Sequence, residues 1–222
     1  MPSCQFDFSD LTSLASNVGG ILTARPDLDT VIVTAGIRKS FNYFDPTSIT
    51  PEAIAGEITT NLTAPALLVQ LVAPHLAQLA GSGVKTYLLV TSSSLAFVPM
   101  GFYHLYSASK AGVHALLLAL RQQLSFAPEN IQKNFSVLEI VPPYTDTGLD
   151  AEHREATIAM QGGKEKAFSL MPLLEFVDGF FKALEETGPD GTLAKEIGIG
   201  FGKVGVDTWR GSLGKIYEQW GM

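Results

Sequence analysis

The sequence has few of the residues and segments that define several large protein classes. Its 222 residues include one cysteine, Cys4, so no disulfide can form within the chain, which indicates a reducing compartment or indifference to redox. The four histidines, at positions 75, 104, 114 and 153, have no cysteine partners at the spacing of metal ligands. We therefore expect no metal site.

Positive charge and membrane-directed segments are also scarce. The net charge is -7, which argues against nucleic acid or an anionic membrane as the main partner, because both attract basic surfaces. The N-terminus lacks a basic start followed by an apolar run, and no stretch of about 18 uninterrupted apolar residues occurs. We therefore expect no secretory signal and no spanning helix, and we place the protein in the cytoplasm.

What the sequence does contain is typical of one globular α/β domain. Hydrophobic residues make up 46% of the chain, without repeats or linkers, so residues 1–222 can share one core. Short β-rich runs alternate with longer helical runs, which predicts a parallel sheet covered by helices. The predicted strands are residues 4–8, 29–35, 85–92, 135–141 and 196–200, and the predicted helices are about 10–24, 51–80, 106–126 and 172–187.

Two of the predicted helices have sequence features that predict a bend in one and a subunit contact in the other. Pro65 and Pro74 lie inside the helix over residues 51–80, where each removes an internal hydrogen bond, so a bend is expected. The helix over residues 106–126 is apolar around most of its circumference, which favours two packing partners, the sheet and a second subunit. We expect a homo-oligomer that associates through these two helices.

The most polar segment, residues 148–171, connects the fourth predicted strand to the fourth predicted helix. A long connection beyond the carboxyl end of a strand is where an open α/β sheet binds ligands. We interpret this segment as a mobile lid over a small-molecule substrate.

The stretch HLYSASKAG, residues 104–112, places a tyrosine and a lysine four residues apart. On a helix, Tyr106 and Lys110 would share one face, with Cβ atoms about 5–6 Å apart. A nearby ammonium lowers the pKa of a phenol from its usual value of about 10, so this tyrosine could transfer a proton at neutral pH. A helix-surface pair that stabilises the helix by a few tenths of a kcal/mol is the alternative interpretation.

A serine completes a recognisable pattern with this pair. Ser93, at the end of a predicted strand, stands thirteen residues before Tyr106, and NLTAPALL places Asn61 in the predicted bent helix. This arrangement resembles the short-chain dehydrogenase/reductase family, in which a Ser-Ser pair ends a strand thirteen residues before Tyr-x-x-x-Lys, and an asparagine anchors a proton-relay water. Taken singly, Ser93 could instead cap the next turn, and Asn61 could satisfy carbonyls freed at the bend.

Further matches extend the resemblance over nearly the whole chain. VTAGI, residues 33–37, resembles the family's Asn-Asn-Ala-Gly element, FDFSD resembles its Asp-Val element, and VPPYTDTG resembles its Pro-Gly-x-Val-x-Thr segment. The resemblance implies a Rossmann-like, doubly wound parallel sheet between two layers of helices. It also implies NAD or NADP as the cofactor, with the contacts Asp7, Ala35, Gly36, Tyr106, Lys110 and Thr147.

The reaction implied by the resemblance is the interconversion of a carbonyl and an alcohol by hydride exchange with a nicotinamide. Tyr106 would act as general acid or base, and Ser93 would hold the substrate oxygen. Lys110 would lower the pKa of Tyr106 and bind the nicotinamide ribose, while Asn61 would position the water that returns the proton.

One family element has no counterpart in this sequence. The Thr-Gly-x-x-x-Gly-x-Gly turn, whose backbone N–H groups approach the pyrophosphate, precedes the Asp-Val element in the family. GFGKVG, residues 200–205, has similar glycine spacing, but only seventeen residues follow it, too few for a dinucleotide-binding unit. We interpret that segment as a glycine-rich terminal connection.

The family's first two strands are absent together with that turn. In the family they lie between the strands that correspond to residues 4–8 and 29–35, so strands about 4.8 Å apart would leave a slot of about 10 Å. Three outcomes are open: residues 4–8 pair with residues 29–35, another chain fills the slot, or the native protein is longer.

Three functions are consistent with this pattern. The first is an oxidoreductase whose full-length form begins earlier or whose gene has been shortened, which would leave this chain inactive or poor in cofactor. The second is an isomerase, lyase or cyclase that uses Ser93, Tyr106 and Lys110 without a nicotinamide. The third is a non-catalytic subunit that pairs with an intact relative.

Overall fold

The computed structural model describes residues 5–188 and 191–220, so Cys4 lies outside the described residues. The strands are β1 Thr30–Val33, β2 Thr86–Thr91, β3 Phe135–Val141 and β4 Glu196–Gly198. The longer helices are α1 Leu11–Ala24, α2 Pro51–Ile58, α3 Ala64–Gly81, α4 His104–Leu124, α7 Leu173–Glu185 and α8 Phe201–Gly211. The shorter helices are α5 Glu129–Asn134, α6 Arg154–Met160 and α9 Leu213–Gln219.

The four strands form one parallel sheet in the order β1-β2-β3-β4. Val31 pairs with Leu88, and Leu88 in turn pairs with Val137, which sets the register across the sheet. Parallel neighbours require a crossover, and the intervening helices provide one between each pair of strands. The carboxyl ends of β1, β2 and β3 therefore meet at one edge of the sheet, where the loops that follow them lie close together.

Both faces of the sheet are covered, as the apolar strands predict. Leu88 and Val90 face a cluster that contains residues of α1, α3 and α4. Leu89 and Leu138 face the opposite side, where they pack with Phe180 of α7. The predicted Rossmann-like α/β fold, with helices on both faces of a parallel sheet, is confirmed.

The predicted first strand, residues 4–8, is wrong for the residues that the structure describes. Residues 5–8 form no strand, because the Asp7 carboxylate accepts hydrogen bonds from the Ser9 backbone N–H at 2.8 Å and from its hydroxyl at 2.7 Å, which turns the chain. Phe6 and Phe8 pack against the core next to α1 instead of joining the sheet. Residues 5–8 therefore do not pair with β1, and Ile32 of that edge strand is 50% exposed.

The predicted helix over residues 51–80 is present, and its irregularity is a π-helical turn. Thr59–Thr63 forms this turn between α2 and α3, just before Pro65 in the first turn of α3. Together, Pro51–Gly81 is long and apolar enough to cross a membrane by length and composition alone, a test that core helices of globular proteins also pass. In the fold, this helix supplies Val72 and Leu76 to the core.

The glycine-rich segment at residues 200–205 begins a helix, so its interpretation as a terminal connection is wrong. Gly200 precedes α8 with φ of 52°, in the left-handed region that favours glycine. Gly202 lies against β3, where an added Cβ would be 2.0 Å from the carbonyl oxygen of Val141. These glycines allow a helix to approach the sheet closely, which a pattern of glycine spacing alone does not reveal.

Substitution of Gly202 by Ala should therefore destabilise the protein. The new methyl group would force α8 away from the Val141 carbonyl, at a cost of about 1–3 kcal/mol in the free energy of unfolding, measured by urea denaturation. Gly211→Ala in the same helix is the matched control, because an added Cβ there meets nothing within 4 Å. Equal stabilities of the two variants would contradict this packing.

Candidate active site

A cavity of about 1090 Å³ opens at the carboxyl ends of the strands. Five of the predicted site residues line it: Gly36, Ser93, Tyr106, Lys110 and Thr147. The segment over residues 148–171 and the first turns of α7 contribute further walls. The cavity therefore brings the predicted serine, tyrosine and lysine together with part of the predicted cofactor contacts.

Ser93 lies two residues after Thr91, the last residue of β2, and has an extended backbone, with φ of -170°. Its hydroxyl accepts a hydrogen bond from the backbone N–H of Leu95 at 3.1 Å and so caps the short 3-10 turn Ser94–Ala96. The same hydroxyl acts to lower the pKa of the Tyr106 phenol, and both groups line the cavity. The capping interpretation and the site interpretation are thus compatible, since the cap fixes the hydroxyl beside the tyrosine.

Tyr106 lies in the first turn of α4 and is almost completely buried. Burial raises its pKa above the ordinary value of 10.0, and the Glu57 carboxylate acts in the same direction. The Arg38 guanidinium is the largest influence that lowers the pKa, followed by the Ser93 hydroxyl. Burial therefore sets the net direction of the Tyr106 pKa, and its lowering by Lys110 stays a prediction from the sequence.

Lys110 is 3% exposed and reaches from α4 to the end of β2. Its Nζ donates a hydrogen bond to the carbonyl oxygen of Thr91 at 2.9 Å and lies 5.6 Å from the centre of the Tyr106 ring. Burial lowers the pKa of Lys110 from its ordinary value of 10.5 to about 8. The lysine is therefore a group whose charge changes within a pH range in which enzymes work.

Asn61 occupies the π-helical turn and ties three parts of the chain together. Its Oδ1 accepts from the backbone N–H of Ile37 at 2.8 Å, and its Nδ2 donates to the Ile37 carbonyl at 2.8 Å and to the Ser109 hydroxyl at 3.2 Å. Its Oδ1 also lies 3.2 Å from where a Cβ of residue 36 would be, so Gly36 permits this approach. Asn61 fixes the loop after β1 against α4.

The structure does not bring Asp7 and Ala35 into this cavity. Asp7 is exposed and bonded to Ser9, and Ala35 lines a smaller apolar groove beside β1 together with Phe6 and Phe8. The adenine contact of Asp7 and the cofactor contact of Ala35 stay predictions from the resemblance.

The sequence analysis missed Arg38, which lies two residues after Gly36. Arg38 is 9% exposed, and its guanidinium carbon lies 4.4 Å from the ring centre of Tyr103 and 5.2 Å from that of Tyr144. Its Nη2 is 3.2 Å from Oδ2 of Asp150. The available signal was a basic residue two positions after the Ala-Gly element, where the chain turns towards the site.

A second missed group lies immediately before Ser93. The Ser92 hydroxyl donates to Oε1 of Glu139 at 2.5 Å, and Nδ1 of His114 lies 2.7 Å from Oε2 of the same fully buried carboxylate. This network joins β2, β3 and α4 behind the site. Its signals were a glutamate inside an apolar strand and a histidine inside an apolar helix.

Within residues 5–188 and 191–220, no group of three or more His, Cys, Asp or Glu side chains is arranged to hold a metal ion.

The lowered pKa of Lys110 predicts a specific dependence of stability on pH. Between about pH 8 and the unfolded-state value, the unfolded chain binds a proton that the folded chain has lost, so the free energy of unfolding rises with pH. Each unit of pKa difference contributes about 1.4 kcal/mol to that rise. Urea denaturation at several pH values should show that the free energy of unfolding rises with pH in the unsubstituted chain and not in Lys110→Met. Identical pH profiles in the two proteins would contradict this prediction.

Comparisons with known proteins agree with this geometry. A family model described as short chain dehydrogenase matches residues 2–158, more than half of the chain. An uncharacterized oxidoreductase, DltE, from Bacillus subtilis strain 168 is 28% identical over 216 residues, which cover 97% of this chain and 76% of that protein.

Solved structures show the same fold. A short chain dehydrogenase from Burkholderia cenocepacia in complex with NADP has a TM-score of 0.68 at 17% identity, covering 98% of this chain and 79% of that chain. The bulky-bulky ketone specific alcohol dehydrogenase of Comamonas testosteroni has a TM-score of 0.67 at 20% identity, covering 97% of this chain and 72% of that chain. With a family match over most of its length, the chain belongs to the short-chain dehydrogenase family of oxidoreductases.

Proposed function

We propose that the protein is an NAD(P)-dependent oxidoreductase that interconverts a carbonyl and an alcohol on a small molecule. The observation that carries this proposal is that Ser93, Tyr106 and Lys110 line one cavity at the carboxyl edge of the sheet. A hydroxyl, a phenol and an amine are together the groups needed to hold a substrate oxygen and to move its proton. Asn61 supports them through its bonds to the loop after β1.

The protonation states favour Tyr106 as the acid in the direction of carbonyl reduction. Because burial raises the pKa of Tyr106, the phenol is neutral at neutral pH and has a proton to donate to the substrate oxygen. The Ser93 hydroxyl donates a second hydrogen bond to the same oxygen and orients it. In the reverse direction, the phenolate accepts the alcohol proton. Lys110 stabilises the phenolate as long as the lysine itself remains protonated.

The residues present fit one end of the implied cofactor. Lys110 and Tyr106 would hold a nicotinamide ribose, with Thr147 and Gly36 on the cavity wall, and the bound nicotinamide supplies or accepts the hydride. The pyrophosphate end has no such support, because the glycine-rich turn whose backbone N–H groups would approach it has no counterpart in this sequence.

The cavity walls support a substrate with an apolar body. Met100, Leu149 and Phe168 line the cavity beside the proposed proton donor. The segment over residues 148–171 is held over the site by Thr157, which accepts a hydrogen bond from the Tyr103 hydroxyl at 3.1 Å. We propose that this segment is the substrate lid, and that release of this bond accompanies its opening.

A second candidate function uses the same groups without a nicotinamide. The lack of a glycine-rich turn in this sequence favours it, since a proton-transfer site needs no pyrophosphate support. An isomerase, lyase or cyclase of this kind would use Tyr106 as the acid or base.

Pairing with a second subunit through the predicted helices, and a cytoplasmic location, stay predictions from the sequence.

Tyr106→Phe should abolish most of the turnover, because it removes the phenol and keeps the ring. We expect kcat to fall by about 10²–10⁴-fold. Turnover is measured from the absorbance of reduced nicotinamide, with a panel of apolar ketones as substrates. Tyr217→Phe is the matched control, because the Tyr217 hydroxyl bonds to the Leu118 carbonyl and Tyr217 is not among the residues lining the cavity. Unchanged turnover in Tyr106→Phe would refute the proposal, and full turnover without nicotinamide would establish the second candidate.

Nicotinamide binding by this chain should depend little on the adenosine half of the cofactor. We expect NADPH and reduced nicotinamide mononucleotide to bind within about tenfold of each other by calorimetry, a difference of about 1.4 kcal/mol or less. Lys110→Met should weaken the binding of NADPH and of reduced nicotinamide mononucleotide to the same extent. A much tighter affinity for NADPH alone would show that the chain supports the pyrophosphate after all.

A further inference from the structure

Arg38 is the most unusual charged residue at the site. It comes from the loop after β1, and its guanidinium carbon lies 4.4 Å, 5.2 Å and 5.7 Å from the ring centres of Tyr103, Tyr144 and Tyr106. These distances lie within the range of cation–π contacts. A charged side chain this deeply buried is costly, so its position among three tyrosines calls for a reason.

We propose that Arg38 is a positioning residue of the acid–base centre, and that its guanidinium stabilises the anionic form of Tyr106. This inference rests on the proposed acid–base role of Tyr106. It assigns to Arg38 an electrostatic role that the sequence pattern assigned to Lys110.

The ion pair with Asp150 holds Arg38 in place without cancelling its charge. Asp150 is shared, because Nη2 of Arg154 lies 2.9 Å from its Oδ1, and the Tyr144 hydroxyl donates to its Oδ2. Arg154 also pairs with Asp146, at 3.1 Å between Nη2 and Oδ1, and the Asp150 carboxylate divides its charge between Arg38 and Arg154. Nε of Arg38 is buried and has no hydrogen-bond partner in the part of the chain that the structure describes.

Of the charged groups around Tyr106, Arg38 is the one that supplies positive charge at high pH. Glu57 of α2 is buried, and its carboxylate opposes Arg38 because it raises the pKa of Tyr106. Lys110 of α4 has a pKa of about 8, so it loses its charge as the pH rises, whereas a guanidinium stays protonated. Above that pH, stabilisation of the Tyr106 anion falls to Arg38.

The ionisation of Tyr106 can be followed directly in the full chain, without cofactor or turnover. Tyrosine isotopically labelled at Cζ gives one NMR resonance for each ring, and the Tyr106→Phe variant identifies the resonance of interest. Arg38→Gln should raise the pKa of Tyr106 by about 1–3 units, and Arg38→Lys should restore part of the shift. Asp150→Asn should shift the pKa in the opposite direction, because it removes the counter-charge and keeps Arg38.

Arg154→Gln is the matched control. It also removes a guanidinium that pairs with Asp150, but only Arg38 is packed against the Tyr106 ring. A shift in Arg154→Gln as large as in Arg38→Gln, or shifts of one sign in Arg38→Gln and Asp150→Asn, would overturn the proposal. If the unsubstituted chain unfolds at a lower pH than that at which Tyr106 ionises, the Asp150→Asn variant decides. Ionisation of Tyr106 at a pH where this variant is still folded supports the proposal, and no ionisation in that pH range overturns it.

This experiment separates the two proposals. Loss of oxidoreductase turnover in every condition would refute the proposed function and leave the Tyr106 titration intact. Opposite shifts in Arg38→Gln and Asp150→Asn would support the role of Arg38 whatever reaction the site performs.

Discussion

The hydrogen bond from Lys110 to the carbonyl of Thr91 joins the two elements on which the site depends. Thr91 ends β2, two residues before Ser93, and Lys110 lies one helical turn after Tyr106 on α4. Because this bond fixes the helix against the end of the strand, it also fixes the distance between the serine hydroxyl and the phenol. An ammonium in this place is disfavoured by burial, so the chain gives up some stability at neutral pH to hold the two groups together.

Other buried polar groups support the same junction from behind and from the side. Glu139 binds the residue before Ser93 and, through His114, the next turn of α4. Asn61 binds the loop after β1 to Ser109, which neighbours Lys110 in sequence. Removal of any one of these groups would leave a buried partner unsatisfied, so the network acts as a unit in holding the site.

The sequence predicted the elements whose signals are local, and it missed those set by tertiary contacts. The limits predicted for β3 are those of the structure, and β2 differs by one residue at each end, because continuous apolar runs mark strands that are buried on both faces. The spacing of Ser93, Tyr106 and Lys110 placed them on those elements, where they line one cavity. Residues 5–8 have the composition of a strand, yet a strand needs a neighbour, and the turn at Asp7 leads directly into α1.

The missed parts of the site share one physical origin. Arg38 contacts partners that are distant in sequence, and no local pattern connects it to Asp150. The role of Gly202 appears only once α8 lies on β3. The direction of the Tyr106 pKa also depends on how completely the ring is covered, which the Tyr-x-x-x-Lys spacing does not specify.

The proposed acid–base groups and the β1 edge of the sheet are held by different contacts. Ser93, Tyr106 and Lys110 are fixed by β2, β3 and α4, which are joined by the pairing of β2 with β3 and by the bond from Lys110 to Thr91. The β1 edge contributes a short apolar groove, and its helix N-terminus is already capped by Asp10. Because the core that contains Leu14 and Val18 of α1 closes against α3, the site does not need a further strand beside β1 to keep its geometry.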